Sequence, residues 1–481
     1  MKKVLSLVLT LALVLSMGIL SAHAEEPAKI IWWVYGDAPI DTKLVVEAAN
    51  AYSAEKIGVT VDLLFKTDEQ FATDMSTDTY FDMTFTCDWV NSFVDNALDE
   101  RFYDITDLVK TATPALYECI DEKYWDVAGS INGRIYAIPT LKDMASEQFF
   151  RFDKDRYEAI GITIPDKMEF RDLEPMLAAY KENYDDVYPL MLGKAGLTGM
   201  TNSAQWIAGS YLCSPYHLAG TERESKIIPF WEDEVLMERY RLLHKWYELG
   251  YINPDAATIE SIGSDIRAGV RSGSAWRGYY TGYSSWAGIN VEGSSYSGPY
   301  MSVATMRGAM NAINAAASEE QAIACLKYME LLNTDRTFRD ILRFGVEGVH
   351  FNYITNDQGV QVAQRTEQGN SNWSMDGFVT GSVVNASCSS DSYYDWNEIY
   401  ADYDKALLST LGAFSFNKEP VESECAACSA VMSKYTAEIL TGTLDIDEKL
   451  PTIQEELKIA GIDAIQAEAQ RQLDEYLAGQ Q

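Results

Sequence analysis

Two hydrophobic periods alternate along the first hundred residues. Lys29 to Tyr35 is almost continuously apolar and reads as a buried strand. Leu44, Val45, Ala48 and Tyr52 then recur at helical spacing, so a helix is expected from Asp41, placed to cap it, to about Lys56, with Gly58 ending it. Val59 to Phe65 is a second strand, Glu69 to Met75 a short helix, and Phe81 to Thr86 a third strand. Strands separated by helices predict a mostly parallel sheet covered on both faces.

Farther on, Asn132-Gly133 marks a turn before a strand from Arg134 to Pro139. Phe149 to Phe152 reads as a strand, Asp172 to Tyr180 as a helix, and Tyr240 to Leu249 as a helix closed by Gly250. From Gly263 to Pro299 the chain is rich in Gly, Ser, Tyr and Trp with little period, which predicts loops of the kind that build binding surfaces. Helices are expected at Glu319–Asn333, Asn397–Ser409, Pro420–Thr441 and Ile453–Leu477. No Pro-rich or Ser-rich tether divides the chain, so two lobes joined by short crossings fit better than separate beads.

The first 24 residues follow a different rule. Lys2 and Lys3 precede an apolar run from Val4 to Leu20, and Ala22-His23-Ala24 closes it with small residues at the positions a signal peptidase reads. The run is shorter than the roughly 20 apolar residues of a spanning helix, so a cleaved secretory signal is expected rather than an anchor. Cleavage after Ala24 would leave 457 of the 481 residues. The formal charge of −34 would become −36 with the loss of two lysines. Such a charge disfavours nucleic acid and anionic lipid as partners, while an apolar fraction of 47% is ample for a folded core.

Candidate chemistry is sparse. Seven cysteines leave at least one thiol unpaired. Cys425-Ala-Ala-Cys428 has redox spacing but lies in a helical pattern without a preceding strand, so buried small apolar residues are the expected reading. His217, His244 and His350 have no partner at metal-ligand spacing, and neither metal nor other cofactor is expected. No nucleophile elbow, P-loop or dinucleotide fingerprint occurs. Carboxylate pairs for glycoside hydrolysis would arise by chance among 72 acids, so no catalytic residue is assigned.

Binding offers more. Ligands of open α/β sheets sit beyond the carboxyl ends of the strands. That rule selects Tyr35 and Asp37 after the first strand and Asp88 and Trp89 after the third. The loop-rich stretch adds Trp276, Arg277 and Tyr279, and isolated aromatics add Trp206 and Trp373. Aromatic faces beside carboxylates suit a sugar, whose C–H face packs on a ring while its hydroxyls need charged or amide partners. Any single Trp, by default, is core.

Several segments together resemble a family. They include Ala54-Glu55-Lys56-Ile57-Gly58-Val59-Thr60-Val61, Asn132-Gly133-Arg134-Ile135-Tyr136-Ala137-Ile138-Pro139, Phe344-Gly345-Val346-Glu347-Gly348-Val349-His350-Phe351, and Leu411-Gly412-Ala413-Phe414-Ser415-Phe416 with Ala460-Gly461-Ile462-Asp463. The chain resembles family 1 extracellular solute-binding proteins of ABC importers, in the LipO/LplA-like lipoprotein subgroup. The resemblance implies a two-lobed periplasmic-binding-protein-like α/β fold of class II, maltodextrin-binding-protein-like, with hinged lobes around a central cleft crossed about three times by the chain. It places residues 25–142 and 298–318 in an N-terminal lobe, and 143–297 and 319–481 in a C-terminal lobe with a helical extension. It implies capture of a carbohydrate, expected to be an oligosaccharide, and delivery to permease subunits by a monomer without enzymatic activity. It also implies that the segments around Asp88-Trp89 and Gly273–Tyr280 touch the ligand. The alternatives are an exported glycoside-active enzyme, a binding protein for a non-sugar solute such as a peptide, and a surface interaction protein. One departure stands out: subgroup members carry a lipid-bearing Cys at the signal cleavage site, whereas the first Cys here is Cys87. The expected location is therefore periplasmic or extracellular, with membrane association through the transporter.

Overall fold

A computed structural model of the protein describes residues 26–263, 266–276, 288–390, 394–412 and 414–479. The expected signal segment, Arg277 and Tyr279 lie outside the described residues.

The first sheet is built around β1 (Ala28–Tyr35). It pairs in parallel with β2 (Val59–Lys66) from Ala28↔Val59 to Tyr35↔Lys66. On its other side it pairs in parallel with β3 (Met83–Thr86), through Trp32↔Met83. Trp32 and Trp33 are fully buried, which explains the continuous apolar run. The sheet is mixed rather than mostly parallel. The chain returns after a long excursion as a strand at Met310–Ile313, which runs antiparallel to both β3 and the short strand Ala137–Pro139. A helix over Thr42–Ile57 covers the sheet with Val45, Ala49 and Ser53 on one face. Gly58, at φ 65, supplies the left-handed C-cap. Asp41 precedes this helix but does not cap it with its side chain. The expected strand over 134–139 is interrupted: Arg134–Ile135 forms a two-residue hairpin with Ser130–Ile131, turning through Asn132 and Gly133 at φ 50 and 75.

The second sheet centres on Ser146–Asp153, antiparallel to Val270–Ala275 on one side and Val291–Met301 on the other. Both partner strands fall in the segment expected to be loop. Gly and Ser carry low strand propensity, but propensity yields to pairing where small side chains let strands pack. At Gly273, for example, a Cβ would come within 3.0 Å of the Arg151 guanidinium. Leu407–Leu408 completes this sheet in parallel with Tyr300–Met301.

Three crossings join the sheets, through residues 140–145, 302–309 and 404–406. The third crossing changes the expected division of the chain. Glu319–Thr334, Arg336–Phe344 and Trp396–Tyr403 bury Tyr328, Phe338, Trp396 and Tyr403 in the core of the first sheet, not the second. Trp32 meets Tyr328 edge-on at 5.9 Å. The second core instead takes the C-terminal helices Glu422–Met432, Ile446–Ala460 and Ile462–Ala478 through Cys428, Leu457, Ile465 and Leu473. The long helix expected over 420–441 is two, the second at Thr436–Thr441. That expected over 453–477 is broken by Gly461, which at φ 100 caps one helix and starts the next.

Candidate ligand-binding cleft

Because β1 and β3 are parallel and adjacent, their carboxyl ends deliver Tyr35 and Trp89 to the same edge. Their rings meet edge-to-face at 4.9 Å and 85°. Phe85 stacks beneath Tyr35 at 6.1 Å, and Phe378 meets Trp89 at 6.4 Å and 80°. The turn after β3 explains why Trp89 protrudes. Asn91 adopts φ 47 and donates to the Phe85 carbonyl at 2.7 Å, while the Val90 amide donates to Cys87 Sγ at 3.2 Å. Trp89 remains 50% exposed, yet its indole N–H donates to the Gly308 carbonyl at 2.8 Å. An aromatic face that is solvent-open but fixed in orientation pays little entropy when a ligand stacks on it.

Charged groups surround this wall. The Asp88 carboxylate makes no hydrogen bond among the described residues. One side of it opens to solvent while protein packs the other. That partial desolvation raises its pKa, against the pull of the nearby Arg307 guanidinium. Asp37 is exposed at the end of β1. Tyr35 is half-buried, and desolvation followed by the Asp68 charge raises its pKa.

Trp276 comes from the end of the second sheet but packs against side chains of the first core. It lies 5.4 Å from Tyr394, edge-on, and 5.3 Å from Trp396. Together with Lys142, Arg343, Phe378 and Tyr394 it lines a cavity of about 420 Å³ where the lobes meet. Lys142, on the first crossing, is 2.7 Å from Asp143, and its ammonium lies 5.3 Å from the centre of the Phe378 ring.

Two expected site residues lie elsewhere. Trp206 lines a separate, mainly apolar cavity of about 240 Å³ in the second lobe with Phe230, Tyr240 and Ile439. Its indole donates to Thr201 at 3.3 Å. Trp373 is fully buried, and its carbonyl accepts from Arg365 at 2.6 Å, so it serves the interior. Phe378, Lys142 and Arg343 belong to the cleft and were not expected from the sequence. No periodicity marks them, because a crossing and an irregular loop place them.

Comparisons with known proteins agree with the two-lobed fold. A protein-family model described as a domain of unknown function, DUF3502, matches residues 410–478. A carbohydrate ABC transporter substrate-binding protein of Streptococcus pneumoniae serotype 4 is 26% identical over 469 residues, spanning 95% of this chain and 92% of that protein. The crystal structure of the N-glycan transport solute binding protein NgtS from Streptococcus pneumoniae superposes with a TM-score of 0.80 at 25% identity, covering 94% of this chain and all of that one. The same protein in complex with Man1GlcNAc gives 0.66, again at 25% identity and with 94% and 100% coverage. An extracellular solute-binding protein from Bifidobacterium longum subsp. infantis shares the fold at 15% identity and a TM-score of 0.62, over 93% of this chain and 98% of its own. Two α/β lobes facing each other across a triply crossed hinge define the architecture of a solute-binding protein. In sequence and in fold the chain is similar to substrate-binding proteins of carbohydrate ABC transporters.

Proposed function

We propose that the protein captures an oligosaccharide in the cleft between its lobes and presents it, as a monomer, to the permease subunits of an ABC importer. The observation that carries this reading is Trp89, half-exposed yet fixed by Gly308 and flanked by Tyr35 and Phe378. A rigid aromatic wall with carboxylates at its margin matches the amphipathic surface of a sugar. Kinship to proteins named for carbohydrate and N-glycan transport points the same way. The TM-scores of 0.80 against NgtS and 0.66 against NgtS in complex with Man1GlcNAc fit lobes that change arrangement. Binding without turnover, and export through cleavage after Ala24, are parts of this reading.

Calorimetric titration of the purified protein with a panel of oligosaccharides tests it. Saturable binding of unmodified glycans, with scattering showing a more compact molecule, is the expected result. Binding of peptides but no glycan, or steady release of hydrolysis products, would overturn it.

A further inference from the structure

The interlobe cavity is lined by cationic side chains that a neutral sugar does not require. Its wall carries Lys142, Arg343 and Arg365 against Asp143 and Asp376. Lys142 and Asp143 neutralise each other at 2.7 Å. Among the described residues, Arg343 and Arg365 then share this wall with Asp376, inside a chain of formal charge −34.

The two arginines are not equivalent. Arg365 donates to the carbonyls of Gly369, Trp373 and Arg343 at 3.1, 2.6 and 3.0 Å, so much of its donor set holds the loop. Among the described residues Arg343 donates only to the Met375 carbonyl, at 3.2 Å, and its guanidinium carbon lies 5.2 Å from the Phe344 ring centre. It forms no ion pair among the described residues. Its approach depends on Gly377, where a Cβ would lie 2.5 Å from Nε. Arg343 ends the helix Arg336–Phe344, where a cation also suits the helix dipole. That role needs only a nearby charge, not a guanidinium lining a cavity beside an aromatic wall.

We infer that Arg343 receives an oxyanion substituent of the glycan, so that the preferred ligand class is an acidic oligosaccharide. The inference rests on the oligosaccharide-binding reading and sharpens it. A guanidinium fork fits the planar carboxylate of a uronate or sialyl unit. Sulfate esters share the oxyanion chemistry.

The test uses the full mature chain and three ligands built on one mannosyl-GlcNAc backbone: neutral, carboxylated and sulfated. Calorimetry is expected to give tighter binding of the carboxylated form by about 10- to 100-fold, the range of one charge-assisted contact. Arg343→Gln should erase that preference, and an unchanged thermal unfolding transition guards against a merely misfolded variant. Arg343→Lys should keep part of the preference, and added salt should reduce it. A preference confined to the sulfated form would overturn the carboxylate assignment. Equal affinity for neutral and acidic forms, unchanged in Arg343→Gln, would overturn the inference and leave oligosaccharide binding standing. No binding of any of the three would overturn both.

Discussion

Asp41 Oδ2 lies 3.0 Å from His350 Nε2, joining positions 309 residues apart. The side chain that the sequence places as a helix cap holds a distant loop instead. The same oxygen accepts from Gln368 at 2.8 Å and Asn372 at 3.0 Å. On the far side of the ring, His350 Nδ1 accepts the Val346 amide at 2.9 Å, so the proton must sit on Nε2 and point to Asp41. The imidazole is wholly buried, and both of its nitrogens are satisfied.

These bonds make Asp41 acid-resistant. Hydrogen bonding, led by Gln368 and followed by His350, lowers its pKa from 3.8 to about 2. A carboxylate whose pKa is depressed in the folded state contributes its full stabilisation above its unfolded value. That contribution is lost as pH falls through the folded one. Undocking of residues 345–373 is therefore expected as pH drops from about 4 toward 2. Asp41→Asn should loosen this segment at neutral pH and remove that acid transition. Amide exchange across 345–373, compared with β2 as an internal reference, measures both effects. Equal protection in wild type and variant would refute the tether.

Trp89 should behave as a binding residue and not as a core residue. Replacing it with Ala is expected to weaken oligosaccharide affinity by about 10- to 100-fold, the scale of an aromatic anchor. Stability should fall by only about 1 kcal/mol, for the lost Gly308 bond and edge contacts. Trp89→Phe should recover part of the affinity, because a ring remains for stacking. Titration calorimetry paired with chemical denaturation separates the two quantities. A large loss of stability with unchanged affinity would remove Trp89 from the site.

Trp373 should show the opposite pattern. Complete burial predicts a loss of about 3–5 kcal/mol for Trp373→Ala, since a large cavity cannot fully collapse. Trp206→Ala should likewise act on stability, leaving glycan affinity near the wild-type value. Urea denaturation and ligand titration on the same preparations provide the check, and a Trp206 variant that loses affinity would place the ligand in the second lobe.

The contrast among these tryptophans shows what the chain made readable. The sequence could place Tyr35, Asp88 and Trp89 on one edge because they follow strand ends, and parallel strands bring such ends together. Trp206 and Trp373 have similar polar and small neighbours in sequence, but one lines a lobe interior and the other is enclosed beneath Arg365. Phe378 carries no local signal. It reaches Trp89 because buried Arg339 donates to the carbonyls of Gly377 at 2.6 Å and Gly381 at 3.1 Å, shaping the loop around it. Such a bond network has no period, so pattern reading passes over it. The division of lobes had the same weakness. Nothing between Asn314 and Glu319 signals which sheet the following helices cover, and only the buried faces of Tyr328 and Phe338 decide it.

Thiol chemistry gives a last and independent check on the packing. All seven cysteines are free, and Cys425 and Cys428 lie buried on one helix despite their redox-motif spacing. Cys119 is exposed as a residue, but its sulfur contacts the Leu116 carbonyl at 3.2 Å. Burial around that sulfur pushes its pKa from 9.0 up to about 11. The thiolate is the reacting form, so at pH 8 this shift cuts the reactive fraction by about 100-fold. Cys87 and Cys428 are pushed to about 11 as well, again by burial, and are also shielded from reagent. Native protein at pH 8 should therefore react slowly with an aromatic disulfide reagent, Cys119 first and half-buried Cys388 next. Denaturation without reductant should release all seven thiols. A count of five after denaturation would mean that one disulfide forms in the protein, and peptide mapping would show whether Cys425 and Cys428 supply it.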